Sequence, residues 1–395
     1  MAATSPGARP VLGGHLHSHG PGHVHAHPQP HLRIDPTAPK PRLHLHGTVL
    51  PDGEQRDLWV VDGLIRFEPV ANATTICREA FLLPGFVDAH CHVGLDNHGA
   101  VPADTAEAQA LANRDVGALL LRDCGQPGDT RWIDDVEDLP RIVRAGRHIA
   151  RPRRYLRDYG EEIELDDLVS EVERQAARGD GWVKLVGDWI DRDTGDLAPL
   201  WPAEQVTAAI ARAHELGCRV TAHHFGEEGL DTYLEAGIDG IEHGTGLTDT
   251  TIAMMAERQV ALVPTLVNLE NFPGIADAGQ ARFPHYADHM RALYARRQET
   301  YRSALEAGVP IYAGTDAGGV VPHGLIGQEI TMLGEIGGAD FALGAGSWRA
   351  RSWLGFAGIA DGSPADLVVF DADPRRDLQV VRAPSRVILR GQVVC

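Results

Sequence analysis

Two histidines one residue apart, His90 and His92, lie in GFVDAHCHVGLD at residues 85–96, a run that otherwise reads as a buried β-strand. Side chains at i and i+2 of a strand leave the same face, so both imidazoles project together. On that pattern alone, a metal site and a pair of satisfied core histidines are equally good readings. Other apolar runs also end in polar residues: Lys184 in GWVKLVGD, His223 in VTAHHFG, His243 in GIEHG and Asp316 in AGTDAGG. Imidazole and carboxylate are ordinary metal ligands. Lys184 can simply pair with an acid. Sharing a strand face with Trp182 and Val186, however, an inward ammonium needs strong compensation. A buried lysine of depressed pKa can instead react with carbon dioxide, giving a carbamate that bridges two cations. Asp316 precedes Ala-Gly-Gly and is a ligand or a turn residue. His224 points away from His223 and is expected to pack outward. His98, His214, His285 and His289 lie on helix or loop patterns and are expected at the surface.

Such residues need a scaffold that brings strand ends together. Counting FVDAHCHV, eight apolar runs alternate with helix patterns: ALLLRDCG, RIVRAG, WVKLVG, RVTAHHF, GIEHG, VALVPTL and PIYAGTDA complete the set. The helix PAEQVTAAIARAHELG opens on Pro202 and stops at Gly217; DDLVSEVERQAARG and MRALYARRQETYRSALEAG are amphipathic in the same way. Eight parallel βα units suggest an α/β protein with a closed TIM (β/α)8 barrel, whose chemistry sits at the C-terminal strand ends. An open doubly wound sheet is the alternative, but no glycine-rich nucleotide loop follows a first strand. Short strands with Pro-Asp-Gly and Asp-Gly turns occur before the barrel, and similar ones follow it. Each set is too small to bury a core alone. The expected organisation is a disordered His-rich tail at 1–42, a β-sandwich built from 43–84 and 356–395, and the barrel at 85–355.

The formal net charge of −19 argues against nucleic acid or an anionic membrane as partner. Five scattered cysteines without a C-x-x-C point to a reducing compartment. No apolar run reaches membrane-spanning length and no signal-peptide pattern opens the chain, so a cytoplasmic protein is expected. The tail histidines can chelate transition metals loosely, independently of any catalytic centre.

The motifs LPGFVDAHCHVGL, LLLRDCG, WVKLVGD, VTAHHFGEEGL, AGIDGIEHGTGL, IYAGTDAG and the terminal GSPADLVVFDADP occur in order over residues 42–395. With them the chain resembles the amidohydrolase superfamily, in particular its imidazolonepropionase-like and prolidase-like group. The resemblance implies a (β/α)8 barrel with a composite β-sandwich and a two-metal centre. His90 and His92 would bind one cation with Asp316, His223 and His243 the other. Carboxylated Lys184 and a hydroxide would bridge them. Zn2+ is the expected ion, with Mn2+, Fe2+ or Co2+ as alternatives. It also implies hydrolysis of an amide, lactam or peptide-like C–N bond, with Asp316, His243 and Lys184 carrying the chemistry and Asp316 moving the proton. The substrate is a small molecule, and homo-oligomers are common among relatives. Relatives often carry Gly-Gly-His after the third strand, where this chain has GRHIARPRRYLRDYGEE. There Arg153, Arg154, Tyr155 and Arg157 can clamp a substrate carboxylate, although arginines on exposed loops are commonly just solvated. Trp189, Asn268 and His323 are candidate pocket walls. The rivals are a single-metal deaminase of the same fold, a scaffold that has lost catalysis, and a metal-handling protein acting through its tail.

Overall fold

The apolar runs of the central chain form parallel strands in the computed structural model. It describes residues 31–395 apart from Pro36, and the antiparallel pair Leu16–Ser18 and Val24–Ala26. Most of the expected disordered tail therefore lies outside the described residues. Residues 34–395 form one unit and residues 1–33 another.

In the larger unit the parallel strands fall into two arcs. The first places Ala118–Asp123 between Phe86–Cys91 and Arg141–Arg144. The second runs in the order Glu161–Glu162, Ile149–Ala150, Trp182–Val186, Arg219–His224, Gly240–His243, Ala261–Val263. Strands 86–91, 118–123, 182–186, 240–243 and 261–263 are buried at every position. That is why they read as unbroken apolar runs rather than as alternation.

Two expected strands differ. The run PIYAGTDA is not a ladder: Ile311 bridges Leu262 and Ala317 bridges Cys91 singly. Even so, Tyr312 N–H donates to the Leu262 carbonyl at 3.0 Å and Asp316 N–H to the His90 carbonyl at 2.7 Å, tying the segment to both arcs. The left-handed backbone of Asp316 (φ 59°) breaks the extended form. The third run, RIVRAG, is a strand only over Arg141–Arg144 in the first arc, and the short strand Ile149–Ala150 that follows, beyond Gly146 (φ 76°), joins the second.

Helices cover the strands as their patterns foretold. Ala203–Glu215 starts after Pro202 and buries Val206, Ala209, Ile210 and Ala213, and Leu168–Arg178 and Pro284–Glu306 follow. Residues 339–353 hold the short helices Ala339–Gly346 and Trp348–Trp353. A seven-stranded sheet draws on both chain ends, in the order Gln392–Val393, Arg386–Leu389, Leu367–Phe370, Thr74–Pro84, Leu43–Val49, Glu54–Val61, Leu64–Arg66. Leu45, Leu58, Val60, Leu82, Leu367 and Ile388 pack together on it. Among the described residues no helix is long and apolar enough to cross a membrane.

His289, expected at the surface, is instead half-buried on the helix Pro284–Glu306. It meets Asp196 at 2.9 Å and Glu227 at 2.8 Å, and Arg296 reinforces Glu227 at 2.5 Å. The Glu227 and Asp196 carboxylates push its imidazole up to about 9. A raised histidine stabilises the fold fully below its unfolded value of about 6.5 and loses that contribution as pH rises through the folded value. His289→Gln is therefore expected to flatten the fall in stability between about pH 6.5 and 9, by about 1–2 kcal/mol after solvent screening. Urea unfolding across that range tests it; parallel curves for the two proteins would refute it.

Candidate metal centre

The C-terminal ends of the strands bring nitrogen and oxygen lone pairs together. Phe86–Cys91 ends one residue before His92, so His90 and His92 stand at its rim. His90 Nδ1 donates to Glu242 Oε2 at 2.7 Å, and His92 Nδ1 donates to the Gly125 carbonyl at 2.7 Å. With both Nδ1 atoms committed, both Nε2 atoms point inward, where a neutral ring offers its lone pair. They lie 3.3 Å apart, and Asp316 Oδ1 lies 3.2 Å from that of His90 and 2.9 Å from that of His92. All three ligand atoms fall within 4.8 Å of one another. A second group, His90, Cys124 and Glu242, meets the same criterion. Burial pushes the Cys124 thiol well up, so it is a poor thiolate ligand.

His223 Nδ1 faces His243 Nε2 at 2.9 Å, while His243 Nδ1 meets the Thr265 hydroxyl at 2.7 Å. His243 (φ 66°), Thr265 (φ 51°) and Asp316 (φ 59°) all adopt left-handed backbone. For non-glycine residues this costs about 1–2 kcal/mol each. Such strain gathered in one place is typical of a functional site. The Tyr301 hydroxyl, donating to the His243 carbonyl at 2.7 Å, helps to hold it.

Lys184 is 1% exposed, and its Nζ has no hydrogen-bond partner within the protein. Burial lowers its pKa, although Glu242 and Asp316 oppose the shift. Burial raises the Asp316 carboxyl, but the neighbouring His90 and His92 more than reverse this and hold it well below the usual range. An orphaned amine, four inward imidazoles and an ionised carboxylate fit a site for divalent metal. The described residues thus hold a His/Asp group able to bind one.

The other candidate residues are placed as follows. Asn268 Nδ2 donates to Asp316 Oδ2 at 2.7 Å. Tyr155 stands edge-on to His223 and to Trp189, with ring centres 5.6 and 4.8 Å apart. Arg154 donates to Asp191 Oδ2 at 2.8 Å and to the Trp189 and Ala198 carbonyls at 3.1 and 3.0 Å, bracing the hairpin Asp188–Pro199. His323 is half-buried, with Nδ1 3.0 Å from Asn113 Nδ2, and desolvation of its ring brings its pKa down to about 3. His224 is buried, its ring 5.8 Å from that of Tyr233 and Nδ1 3.0 Å from the Gly226 carbonyl.

Several residues escaped the sequence reading. Glu242 and Arg122 form a buried pair behind His90. His148 is buried against His92, ring centres 5.0 Å apart, and burial holds it well below the usual histidine range. The signal for His148 was in GRHIARPRRY, but only its arginines and tyrosine drew notice. Gly125, whose carbonyl orients His92, has φ 116°. A Cβ there would stand 2.9 Å from the His148 backbone nitrogen and 3.1 Å from its Nδ1. Gly125→Ala is expected to turn that carbonyl and lower affinity for divalent metal about 10–100-fold. Competition with a chelator measures this, and an affinity within twofold of wild type would rule the role out.

The comparisons agree with this architecture. The Amidohydrolase family matches residues 81–394. An uncharacterised protein of Mycobacterium tuberculosis is 58% identical over 365 residues, covering 91% of this chain and 98% of its own. Ochratoxinase of Aspergillus niger is 26% identical over 236 residues, 56% of this chain and 48% of its own length. A crystal structure of a Xaa-Pro dipeptidase with methionine in its active site matches with a TM-score of 0.76 at 22% identity, covering 89% of this chain and 99% of its own. That structural likeness supports a TIM-barrel-like α/β fold. With the family matched over most of its length, the chain belongs to the amidohydrolase family, as a hydrolase of carbon–nitrogen bonds.

Proposed function

We propose that this protein hydrolyses an amide, lactam or peptide-like bond of a small molecule at a two-metal centre held by His90, His92, Lys184, His223, His243 and Asp316. The observation that carries this is the meeting of the His90 and His92 Nε2 atoms with Asp316 Oδ1 inside 4.8 Å. His90, His92 and Asp316 would hold one cation, and His223 and His243 the other. Lys184 would bridge them as a carbamate: its neutral Nζ adds to the carbon of carbon dioxide and releases one proton. Zinc suits this mixture of imidazole and carboxylate, with manganese, iron or cobalt as alternatives.

When bound, the metals polarise the scissile carbonyl and acidify the attacking water. Asp316, oriented by Asn268, accepts that water's proton and passes it to the departing nitrogen. An amine leaves poorly as an anion, so this proton is what breaks the C–N bond. His243, tethered through Thr265 and Tyr301, keeps its inward nitrogen fixed. We read the two arcs, joined through residues 310–317, as a closed (β/α)8 barrel over 85–355. The sheet drawing on both chain ends supports a β-sandwich from 43–84 and 356–395, and we read the protein as a cytoplasmic enzyme.

Metal content by elemental mass spectrometry on residues 34–395, beside turnover of Xaa-Pro dipeptides, N-acyl amino acids, aryl amides and lactams, tests the reading. Two equivalents per chain and hydrolysis of at least one class are expected. One equivalent, indifferent to Lys184, would favour a single-metal deaminase. No bound metal would end the proposal.

A further inference from the structure

A wall of rings runs from His92 across to His223. The His148 ring centre lies 5.0 Å from that of His92, 5.2 Å from Tyr155 and 6.4 Å from Tyr159. Tyr155 continues the wall to Trp189 at 4.8 Å, and Trp189 reaches His223 at 5.4 Å. His148 is 1% exposed, yet neither of its ring nitrogens has a hydrogen-bond partner within the protein. A neutral imidazole carries one N–H and one lone pair. Leaving such groups buried and unpaired destabilises the fold, whereas an apolar ring would fill the space without that cost. His148 therefore has hydrogen-bonding capacity that the fold does not use, beside a ligand of the metal centre. The terminal nitrogens of the Arg154 guanidinium are taken up by Asp191 and two carbonyls, leaving only its buried Nε unpartnered, and the wall itself presents neutral rings.

We propose that His148, Tyr155 and Trp189 form the substrate-recognition subsite, and that it takes an uncharged aromatic or amide-bearing group. His148 hydrogen-bonds that group while the Tyr155 and Trp189 rings pack against it. A substrate placing a free carboxylate against these neutral rings loses its hydration with no charge in the wall to replace it. The preferred substrates are thus neutral N-acyl or carbamoyl compounds with an aromatic flank, rather than molecules with a carboxylate at that position. His148 acts here as a positioning residue. The inference rests on the metal-dependent hydrolase reading.

The test measures binding of benzohydroxamate and 4-carboxybenzohydroxamate to zinc-loaded full-length protein by calorimetry. Hydroxamates chelate zinc, so the ring alone distinguishes the two probes. Benzohydroxamate is expected to bind at least about tenfold tighter than its carboxylated analogue. His148→Phe is expected to weaken it about tenfold with zinc content unchanged, a factor corresponding to one lost hydrogen bond. His148→Gln, which restores a donor and an acceptor, is expected to recover most of that loss. Equal or tighter binding of the carboxylated probe overturns the inference. So does unaltered benzohydroxamate binding in both variants. Should His148→Phe fail to fold, the wild-type ratio and His148→Gln still decide. Zinc uptake without hydrolysis of any C–N substrate would sink the hydrolase reading but leave the hydroxamate ratio to judge the subsite. Failure of the wild type to take up zinc overturns both together.

Discussion

On the two-metal reading proposed above, Lys184→Met is expected to cut bound metal from two equivalents to at most one and to lower kcat/KM by roughly 10^3-fold, about 4 kcal/mol of transition-state stabilisation. The same change should make the metal-free protein more stable. Lys184 is 1% exposed, and its Nζ is without a partner. Exchanging it for an apolar side chain of similar length relieves about 1–3 kcal/mol of unpaired polar burial. The pH dependence follows from burial lowering the Lys184 pKa. Between the lowered folded value and the unfolded value of about 10.4, the unfolded chain binds more protons, so metal-free stability rises with pH. This slope is absent from the methionine variant. Elemental analysis, steady-state kinetics and urea unfolding at two pH values read all three effects. A variant that keeps both metals, or is less stable without them, would deny Lys184 the bridging role.

Glu242→Gln has the largest expected effect on folding itself. Glu242 is fully buried. Its Oε1 accepts from Arg122 Nη2 at 2.5 Å and from the Thr221 hydroxyl, while Oε2 accepts from His90 Nδ1 at 2.7 Å. Burial alone would raise this carboxyl, but Arg122, His90 and Lys184 hold it well below the usual range. Arg122 lies over the rings of Trp182 and Trp353, 4.7 and 4.9 Å from their centres, with Nη1 already unpartnered. An amide in place of the carboxylate leaves a buried guanidinium without its counter-charge, at a cost of about 3–5 kcal/mol. It also weakens the acceptor that fixes the His90 tautomer, so zinc affinity should fall about 10–100-fold. Glu242→Gln with Arg122→Met should recover much of the stability but not the metal affinity. Urea unfolding of the single and double variants makes the comparison. A single-variant loss below about 1 kcal/mol would mean that the pair is far better solvated than its burial indicates.

What the sequence could show followed from local physics. Runs buried on both faces were visible as unbroken apolar stretches, and Pro202 and Gly217 marked the ends of a helix because one lacks an N–H and the other tolerates positive φ. The polar residues closing those runs, His90, His92, Lys184, His223, His243 and Asp316, were equally visible as chemistry out of place.

Other features arise from contacts between segments. Strict alternation would send Glu242 and His243 to opposite faces, yet both reach the centre because His243 turns left-handed. PIYAGTDA had the composition of a strand, but the turn at Asp316 leaves only isolated bridges. Arg154 was a candidate to clamp a substrate or simply a solvated arginine, and the fold engages its terminal nitrogens with Asp191 and the hairpin carbonyls while its Nε stays unpartnered. His148 and His92 are far apart along the chain, and nothing local announced that they would meet beside Gly125. The sequence by itself determined which segments are strands and helices and which reactive side chains their ends carry, because periodicity and end chemistry act over a few residues. Only the tertiary structure decided which of those side chains are already spoken for and which remain unpaired, because that depends on contacts between residues distant in the chain.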